Sequence, residues 1–160
     1  MTRSLRLAQK IYASGSKLTA SDLLSKEDYE RERGDLLRLA TQPRRQRRLR
    51  LDPSLSRVFE TRFTAWLQIQ EELRWLARPS QQDMQEVLTR CNLIVPAHDQ
   101  LTATLFVDGG DNPASIYWIE CVAANAFSVA LRLSGRVLRG RSQESSGGVL
   151  AAVHTFIFPP

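Results

Sequence analysis

The sequence is poor in the residues that most metal and redox centres require. Its 160 residues include only two cysteines and two histidines. Cys91 and Cys121 are far apart and form no CxxC pair, which excludes a zinc knuckle or a dithiol motif. Two thiolates are also too few to hold an iron–sulfur cluster. Because both cysteines lie in apolar segments, we expect reduced thiols that serve as buried packing residues.

Motifs that bind nucleotides or mark known catalytic chemistry are missing as well. The chain contains no GxGxxG, Walker, HExxH or GxSxG pattern. The pairs Gly109–Gly110 and Gly147–Gly148 are too short to cradle a phosphate and are typical of turns. The sequence therefore predicts no cofactor and no bound metal, and it supplies no motif for catalysis.

No apolar segment is long enough to cross a membrane. The longest run, residues 116–124, is interrupted by Glu120 and is shorter than the ~20 residues that a bilayer requires. The first ten residues carry basic side chains, but no apolar core of a signal peptide follows them. Hydrophobic residues make up 42% and charged residues 24% of the chain, which is ordinary for a globular protein. We therefore predict a cytoplasmic protein.

What the sequence does have is concentrated positive charge. The net charge of +5 and the pI of about 9.8 favour anionic partners. Five arginines lie close together: Arg44, Arg45, Arg47, Arg48 and Arg50. Guanidinium groups on a ribbon can bind phosphates, so nucleic acid is one candidate partner. No aromatic residue for base stacking lies between Thr41 and Val58, and a solvated edge hairpin that resists aggregation explains the same charge.

Hydrophobic periodicity predicts an α+β fold. Residues 1–16 have the pattern of a flexible N-terminal arm, and residues 17–160 that of a single α+β domain. We expect an antiparallel sheet of about five or six strands with two or three helices packed on one face. The predicted helices cover residues 22–41 (ended by Pro43), 62–78 and 81–91, while 114–124 permits a helix or a strand. The predicted strands fall in a basic hairpin at 47–60, in 101–107, in a hairpin at 127–138 and in 149–158.

One predicted helix has a strongly apolar face. Phe63, Trp66, Ile69 and Leu73 recur at helical spacing. We expect this face to form the core, with Trp66 packed on the sheet.

A second pattern concerns Glu71 and His154. Glu71 lies three residues after Gln68 on the same predicted helix, and His154 lies in the last predicted strand. A carboxylate that pointed into the sheet could meet the imidazole and form an acid–base pair or half of a metal site. A solvated carboxylate and a histidine that is hydrogen-bonded within the sheet are the alternative interpretation.

Several segments occur in a familiar order: Lys17–Leu24, Glu27–Arg33, Phe59–Arg62, Gln68–Arg74, Asn92–Pro96, Leu101–Leu105 and Ala152–Phe156. This order resembles a bacterial family known only as domain of unknown function 3501, over most of the chain from Lys17 onward. The resemblance implies a protein whose gene often stands beside those of rubrerythrin-like and heterodisulfide-reductase-like iron–sulfur proteins. By that association, it implies an accessory role in a redox or oxidative-stress system.

Three functional hypotheses follow. The leading one is a non-catalytic accessory or interaction protein that acts with a redox partner protein. The second is a nucleic-acid-binding module that uses the Arg44–Arg50 tract. The third is an enzyme or metal site around Glu71 and His154.

Overall fold

The computed structural model describes residues 2–15, 17–107, 112–124, 128–143 and 153–159. The chain divides into two compact units, where the sequence predicted one domain over residues 17–160. The helical unit comprises Met1–Gln46 and Glu60–His98, and the β unit comprises Arg47–Phe59 and Asp99–Pro160. The basic hairpin therefore belongs to the β unit, although its sequence lies between two helices of the helical unit.

Four helices and a short 3₁₀ turn make up the helical unit: α1 (Arg3–Ala13), the turn Ala20–Asp22, α2 (Lys26–Gln46), α3 (Arg62–Trp75) and α4 (Gln81–Asn92). Hydroxyl groups cap their starts, as the sequence suggests. The Thr61 hydroxyl accepts a hydrogen bond from the Thr64 amide at 3.2 Å, and the Ser80 hydroxyl accepts one from the Asp83 amide at 3.1 Å.

The first sixteen residues, expected to form a flexible arm, contain α1. Ala8 and Ile11 are three residues apart on one face of this helix, and both are buried in the core of the helical unit. Thr2 caps the helix by accepting a hydrogen bond from the Leu5 amide at 3.3 Å. The apolar residues of this segment thus pack against its own unit because helical spacing brings them to one face.

The expected helix over 22–41 is wrong at both ends. The Ser25 hydroxyl accepts a hydrogen bond from the Asp28 amide at 3.1 Å, so α2 begins at Lys26. The helix then continues through Pro43 to Gln46. A proline removes one backbone donor, and the basic residues of the last turn complement the helix dipole there.

The core of the helical unit is centred on Trp66. Its ring stacks on Phe63 with centroids 5.9 Å apart and meets Tyr29 edge-on at 6.1 Å. The indole Nε1 donates to the carbonyl oxygen of Asp22 at 2.8 Å. Ile69 and Leu73 are buried in the same cluster, which also takes in side chains of α1, α2 and α4. The apolar face of α3 is therefore a core face, as predicted. The buried residues clustered with Trp66 all belong to the helical unit, so the expected packing of Trp66 on the sheet is not observed.

The β unit contains a five-stranded antiparallel sheet. Its strands are β1 (Arg48–Asp52), β2 (Leu55–Phe59), β3 (Leu101–Val107), β6 (Arg141–Gln143) and β7 (Val153–Phe158). They lie in the order β1-β2-β3-β7-β6. The predicted hairpin over 47–60 is confirmed by β1 and β2, which pair with Arg50 opposite Ser56.

The described residues of the β unit also form a separate two-stranded ribbon and one helix. The ribbon pairs β4 (Ala130–Leu133) with β5 (Arg136–Arg139). Ser134 and Gly135 have φ values of 45° and 82°, the positive values that a tight hairpin turn requires. The helix α5 (Pro113–Ala123) occupies the segment whose pattern permitted a helix or a strand.

One face of the five-stranded sheet carries the core of the β unit. The buried members from the sheet are Leu55, Ala103, Leu105, Phe156 and Phe158. Leu131 of β4 joins them, and Trp118 of α5 packs at the margin. The ribbon and α5 thus supply apolar side chains to the sheet's own core.

The α+β class and the antiparallel sheet are confirmed. The described residues form five helices, where two or three were expected, and four of these helices form a unit of their own. Within the described residues, none of the helices combines the length and apolar character that a membrane span needs. The turns expected at Gly109–Gly110 and Gly147–Gly148 lie outside the described residues.

Two tryptophans on α3 provide a matched test of this core. We expect Trp66→Ala to lower the free energy of unfolding by about 3–5 kcal/mol, because it empties a fully buried position. Trp75→Ala should cost less than about 1 kcal/mol, since 78% of Trp75 is exposed. Urea denaturation of both variants measures the difference. Equal losses would contradict the placement of Trp66 in the core.

Candidate binding site in the helical unit

A pocket of 140 Å³ opens in the helical unit beside α2, α3 and α4. Apolar side chains form much of its wall: Leu23, Leu24, Leu73, Pro79 and Met84. Ser25, Lys26, Tyr29, Gln70 and Arg74 complete the lining. A cavity of about 150 Å³ holds a benzene molecule, so this pocket has room for one apolar side chain or a small ligand.

A hydrogen-bonded ion pair between α2 and α3 fixes Tyr29 at the pocket. The Tyr29 hydroxyl donates to Oε1 of Glu71 at 2.6 Å. Arg33, one turn along α2, donates from Nε to Oε1 at 2.7 Å and from Nη2 to Oε2 at 2.9 Å. Both oxygens of the Glu71 carboxylate are therefore occupied by groups of α2.

This network sets the ionisation of its members. Hydrogen bonds from Arg33 hold the pKa of Glu71 below its usual range, and the Tyr29 hydroxyl acts in the same direction. Burial raises the pKa of Tyr29 well above its ordinary value, and the bonded Glu71 carboxylate raises it further. At neutral pH Glu71 is thus charged and Tyr29 protonated, so neither group is poised to exchange a proton.

Gln70 is a lining residue with unused hydrogen-bonding capacity. Only 3% of the residue is exposed, and its Nε2 has no hydrogen-bond partner in the part of the chain that the structure describes. A buried donor without a partner costs about 1–3 kcal/mol. An occupant of the pocket that carried an acceptor oxygen would remove this cost.

Two cations line the pocket, and one of them contacts an exposed aromatic ring. Lys26 donates from Nζ to the carbonyl oxygen of Leu76 at 3.0 Å, and Arg74 donates from Nε to Oε1 of Glu30 at 2.5 Å. The Arg74 guanidinium also lies over the Trp75 ring, 5.2 Å from its centroid. The two cations thus place positive charge at the pocket, and Arg74 contacts Trp75, the most exposed large hydrophobic side chain of the described residues.

Sequence reasoning missed Tyr29, Arg33 and Gln70 as parts of a site. The four-residue spacing of Tyr29 and Arg33 does show that they share a helix face. Gln70 directly follows the core residue Ile69 on α3, whose buried positions are otherwise mostly apolar. No sequence pattern connects these residues to Glu71, because the tertiary packing of α2 on α3 makes that contact.

Glu71 and His154, the proposed acid–base or metal pair, lie in different units. Glu71 is on α3 of the helical unit, and His154 is on β7 of the β unit, opposite Leu105. The His154 side chain lies outside the described residues, so the pair stays a prediction. Among the residues described, no group of three histidine, cysteine, aspartate or glutamate side chains could hold a metal ion.

The arginine tract is divided between the two units. Arg44 and Arg45 lie in the last turn of α2, while Arg47, Arg48 and Arg50 belong to the β unit. All of them are exposed except Arg47, which is half-buried.

Part of the hydrogen-bonding capacity of the hairpin arginines is used within the hairpin. Nη2 of Arg48 donates to the Ser56 hydroxyl at 2.7 Å, and Nη2 of Arg50 donates to the carbonyl oxygen of Pro53 at 2.9 Å. These contacts orient the two guanidinium groups within the hairpin.

The cysteines are free, as expected, but only Cys91 is buried. Burial raises the pKa of the Cys91 thiol to about 12, and the negative charge of Glu72 adds to this effect. Such a thiol is a poor nucleophile at neutral pH. Cys121 is half-buried, which differs from the expectation of a buried packing residue.

The low pKa of Glu71 makes a testable contribution to stability. A carboxyl whose pKa is lowered by folding stabilises the fold above its unfolded pKa of about 4.3, and that stabilisation is lost as the pH falls further. We expect Glu71→Gln to cost on the order of 1–2 kcal/mol at pH 7, and the difference from wild type to shrink below pH ~4. Chemical denaturation between pH 3 and pH 7 measures this.

Glu86→Gln is the matched control for this experiment, because Glu86 is an exposed carboxylate of the same unit. Its stability should stay near that of wild type over the whole range. A loss for Glu71→Gln that did not vary with pH would contradict a charged, paired Glu71.

Comparison with known proteins supports the fold and identifies the family. A crystal structure of a protein of unknown function from Burkholderia pseudomallei K96243 is similar, with a TM-score of 0.77 and 21% sequence identity. The similarity covers 90% of this chain and 77% of that chain, and at this identity it shows the fold alone. No curated protein matches. The family described as Protein of unknown function (DUF3501) matches residues 17–158, and the chain therefore belongs to that family.

Proposed function

We propose that this protein is a non-catalytic accessory protein that binds a partner protein through the helical-unit pocket and Trp75. We further propose that the partner belongs to a redox or oxidative-stress system. The observation that carries the first part is Trp75, which is 78% exposed and directly follows Arg74, a residue that lines a pocket with apolar walls. The second part rests on the gene association that the family resemblance implies.

Trp75 and the pocket are linked through Arg74. This residue lines the pocket and holds its guanidinium over the Trp75 ring. Tryptophan and arginine are the residue types that most often dominate the energy of protein interfaces, and they do so beside pockets that a partner fills. A partner that covered Trp75 would therefore also have access to the pocket.

The chemistry of the lining defines what the partner presents. Leu23, Leu73 and Met84 favour an apolar side chain in the pocket. The unpartnered Nε2 of Gln70 favours an acceptor oxygen next to that side chain, such as a main-chain carbonyl. The positive charges of Lys26 and Arg74 favour acidic residues on either side of it. A protein segment with an apolar residue between acidic ones meets all three requirements.

A binding role fits these residues better than catalysis. Three hydrogen bonds from Tyr29 and Arg33 occupy the Glu71 carboxylate, and its lowered pKa makes it a weak general base. The Cys91 thiol, with its raised pKa, is unsuited to thiol exchange. These groups serve the packing of the helical unit.

A second candidate function is nucleic-acid binding through the arginine tract. It is favoured by the exposure of Arg45, Arg48 and Arg50. Arg48 and Arg50 are two residues apart along β1, so both side chains leave the strand on the same face of the hairpin. Two guanidiniums at this spacing can contact neighbouring phosphates.

The first proposal predicts a binding loss confined to one face. A partner captured from native cells and then purified should bind Trp75→Ala about tenfold or more weakly than wild type, as for an interface hot spot. Tyr117→Ala, which removes an exposed aromatic side chain of the β unit, should bind as wild type does. Titration calorimetry with the purified partner measures both.

Equal binding of the wild type and Trp75→Ala would contradict the proposed surface. The absorbance spectrum of the purified partner tests the redox part separately. A flavin, haem or iron–sulfur spectrum is expected, and a partner without a redox centre would overturn that part alone.

The second candidate predicts a salt-dependent affinity for duplex DNA or single-stranded RNA. Replacing Arg48 and Arg50 together by Gln should weaken binding and reduce the slope of log K against log salt by about two. Replacing Arg132 and Arg136 of the ribbon removes the same charge elsewhere and should leave the slope unchanged. Fluorescence anisotropy at several salt concentrations measures the slope, and an equal effect of both pairs would exclude a specific role for the tract.

A further inference from the structure

A buried arginine in the β unit has no anionic partner among the residues that the structure describes. Arg57 lies in the middle of β2, opposite Leu49 of β1 and Leu105 of β3. Arg57 is two residues from both Leu55 and Phe59 along β2, so its side chain leaves the strand on the same face as theirs. That face of the sheet carries the apolar core. Only 6% of the residue is exposed.

The surroundings of the Arg57 guanidinium are aromatic. It lies over the ring of Phe59, 5.0 Å from the centroid, and over that of Phe158 at 5.9 Å. In the described part of the chain no carboxylate forms a salt bridge with it, and its Nε has no hydrogen-bond partner.

Arg62 of the helical unit is a second buried arginine, and it does have hydrogen-bond partners. It is equally buried, with 6% exposed. Yet its Nη2 donates to the Asp22 carboxylate at 3.0 Å, and its Nη1 donates to the carbonyl oxygen of Ile11 at 3.0 Å. The buried Arg62 thus has a carboxylate and a carbonyl oxygen as acceptors, whereas Arg57 has neither among the described residues.

The aromatic rings give the Arg57 guanidinium no negative charge to balance its own. Burial of a charge without a counter-ion is among the most expensive arrangements in a protein interior. Two cation–π contacts recover about 2 kcal/mol each at best. Burial also lowers the pKa of Arg57, which reflects the same lack of a negative charge. An anion bound at the guanidinium would remove the imbalance.

We propose that Arg57 anchors a binding site for a small organic monocarboxylate, with the Phe59 and Phe158 rings beside the bound molecule. A guanidinium presents two parallel N–H donors that match the two oxygens of a carboxylate. A single negative charge balances a single cation, whereas a phosphate dianion would leave one charge uncompensated among apolar side chains. The apolar side chains of the β-unit core suit the organic part of the ligand. This site lies in the β unit and does not depend on the partner surface proposed for the helical unit.

The Nε–H of Arg57 is the direct reporter of this site. In the arginine Nε–H region of an NMR spectrum, we expect the Arg57 signal to shift saturably on titration with sodium acetate or sodium benzoate at constant ionic strength. Benzoate should bind more tightly than acetate, since its ring can pack on apolar side chains. The signal of the exposed Arg132 should not saturate. This measurement uses the unmodified protein and depends on no variant.

Two variants complete the test. Arg57→Met should fold at least as well as wild type without added anion, because it replaces an unpaired buried charge by an apolar chain of similar length. It should lose at least tenfold in benzoate affinity. Arg132→Met, the matched control, should keep wild-type affinity. A linear shift of the Arg57 signal, equal benzoate binding by Arg57→Met, or tighter binding of inorganic phosphate than of benzoate would each overturn the proposal.

Discussion

The helical unit depends on Asp22, which supplies acceptors to two side chains of α3 and to its own 3₁₀ turn. Its main-chain carbonyl accepts from the Trp66 indole, and its carboxylate accepts from Arg62 and from the Thr19 amide at 2.8 Å. Arg62 in turn reaches the carbonyl oxygen of Ile11 at the end of α1. The large ring and the buried charge of α3 can enter the core only because a turn next to α2 provides these acceptors. The orientation of α3, and with it that of Gln70 and Glu71, follows from this arrangement.

The requirement that buried polar groups have hydrogen-bond partners separates the residues that stabilise the fold from those that suggest function. Arg33 and Glu71 satisfy each other's hydrogen bonds, and Arg62 is satisfied by Asp22 and Ile11. Gln70 and Arg57 are at least as deeply buried as Arg62, yet each keeps a nitrogen without a described partner. A folded chain tolerates few such groups. Each unit therefore has a candidate binding residue. In the helical unit it is the neutral amide of Gln70, and in the β unit it is the cation of Arg57.

Much of the secondary structure could be predicted from the sequence, and much of the site could not. β3, the basic hairpin and the Ser134–Gly135 turn followed from alternation and turn chemistry, which are local. Pro43 was misread because a single lost donor did not outweigh the rest of α2. Neither Glu71 bonded to Tyr29 and Arg33 nor Arg57 between two phenylalanine rings has a local signature. Both depend on residues that only tertiary packing brings together.

The insertion of the basic hairpin between α2 and α3 has a consequence for folding on the ribosome. β2 leaves the ribosome before α3 and α4, and its partner β3 comes after them. Until then, one edge of β2 has no strand beside it and could pair with another chain. A folded α3–α4 segment shortens the effective loop between the two strands and so lowers the entropy cost of joining them. The arginines of β1 and β2 give the waiting hairpin a charge that repels its copies on neighbouring ribosomes.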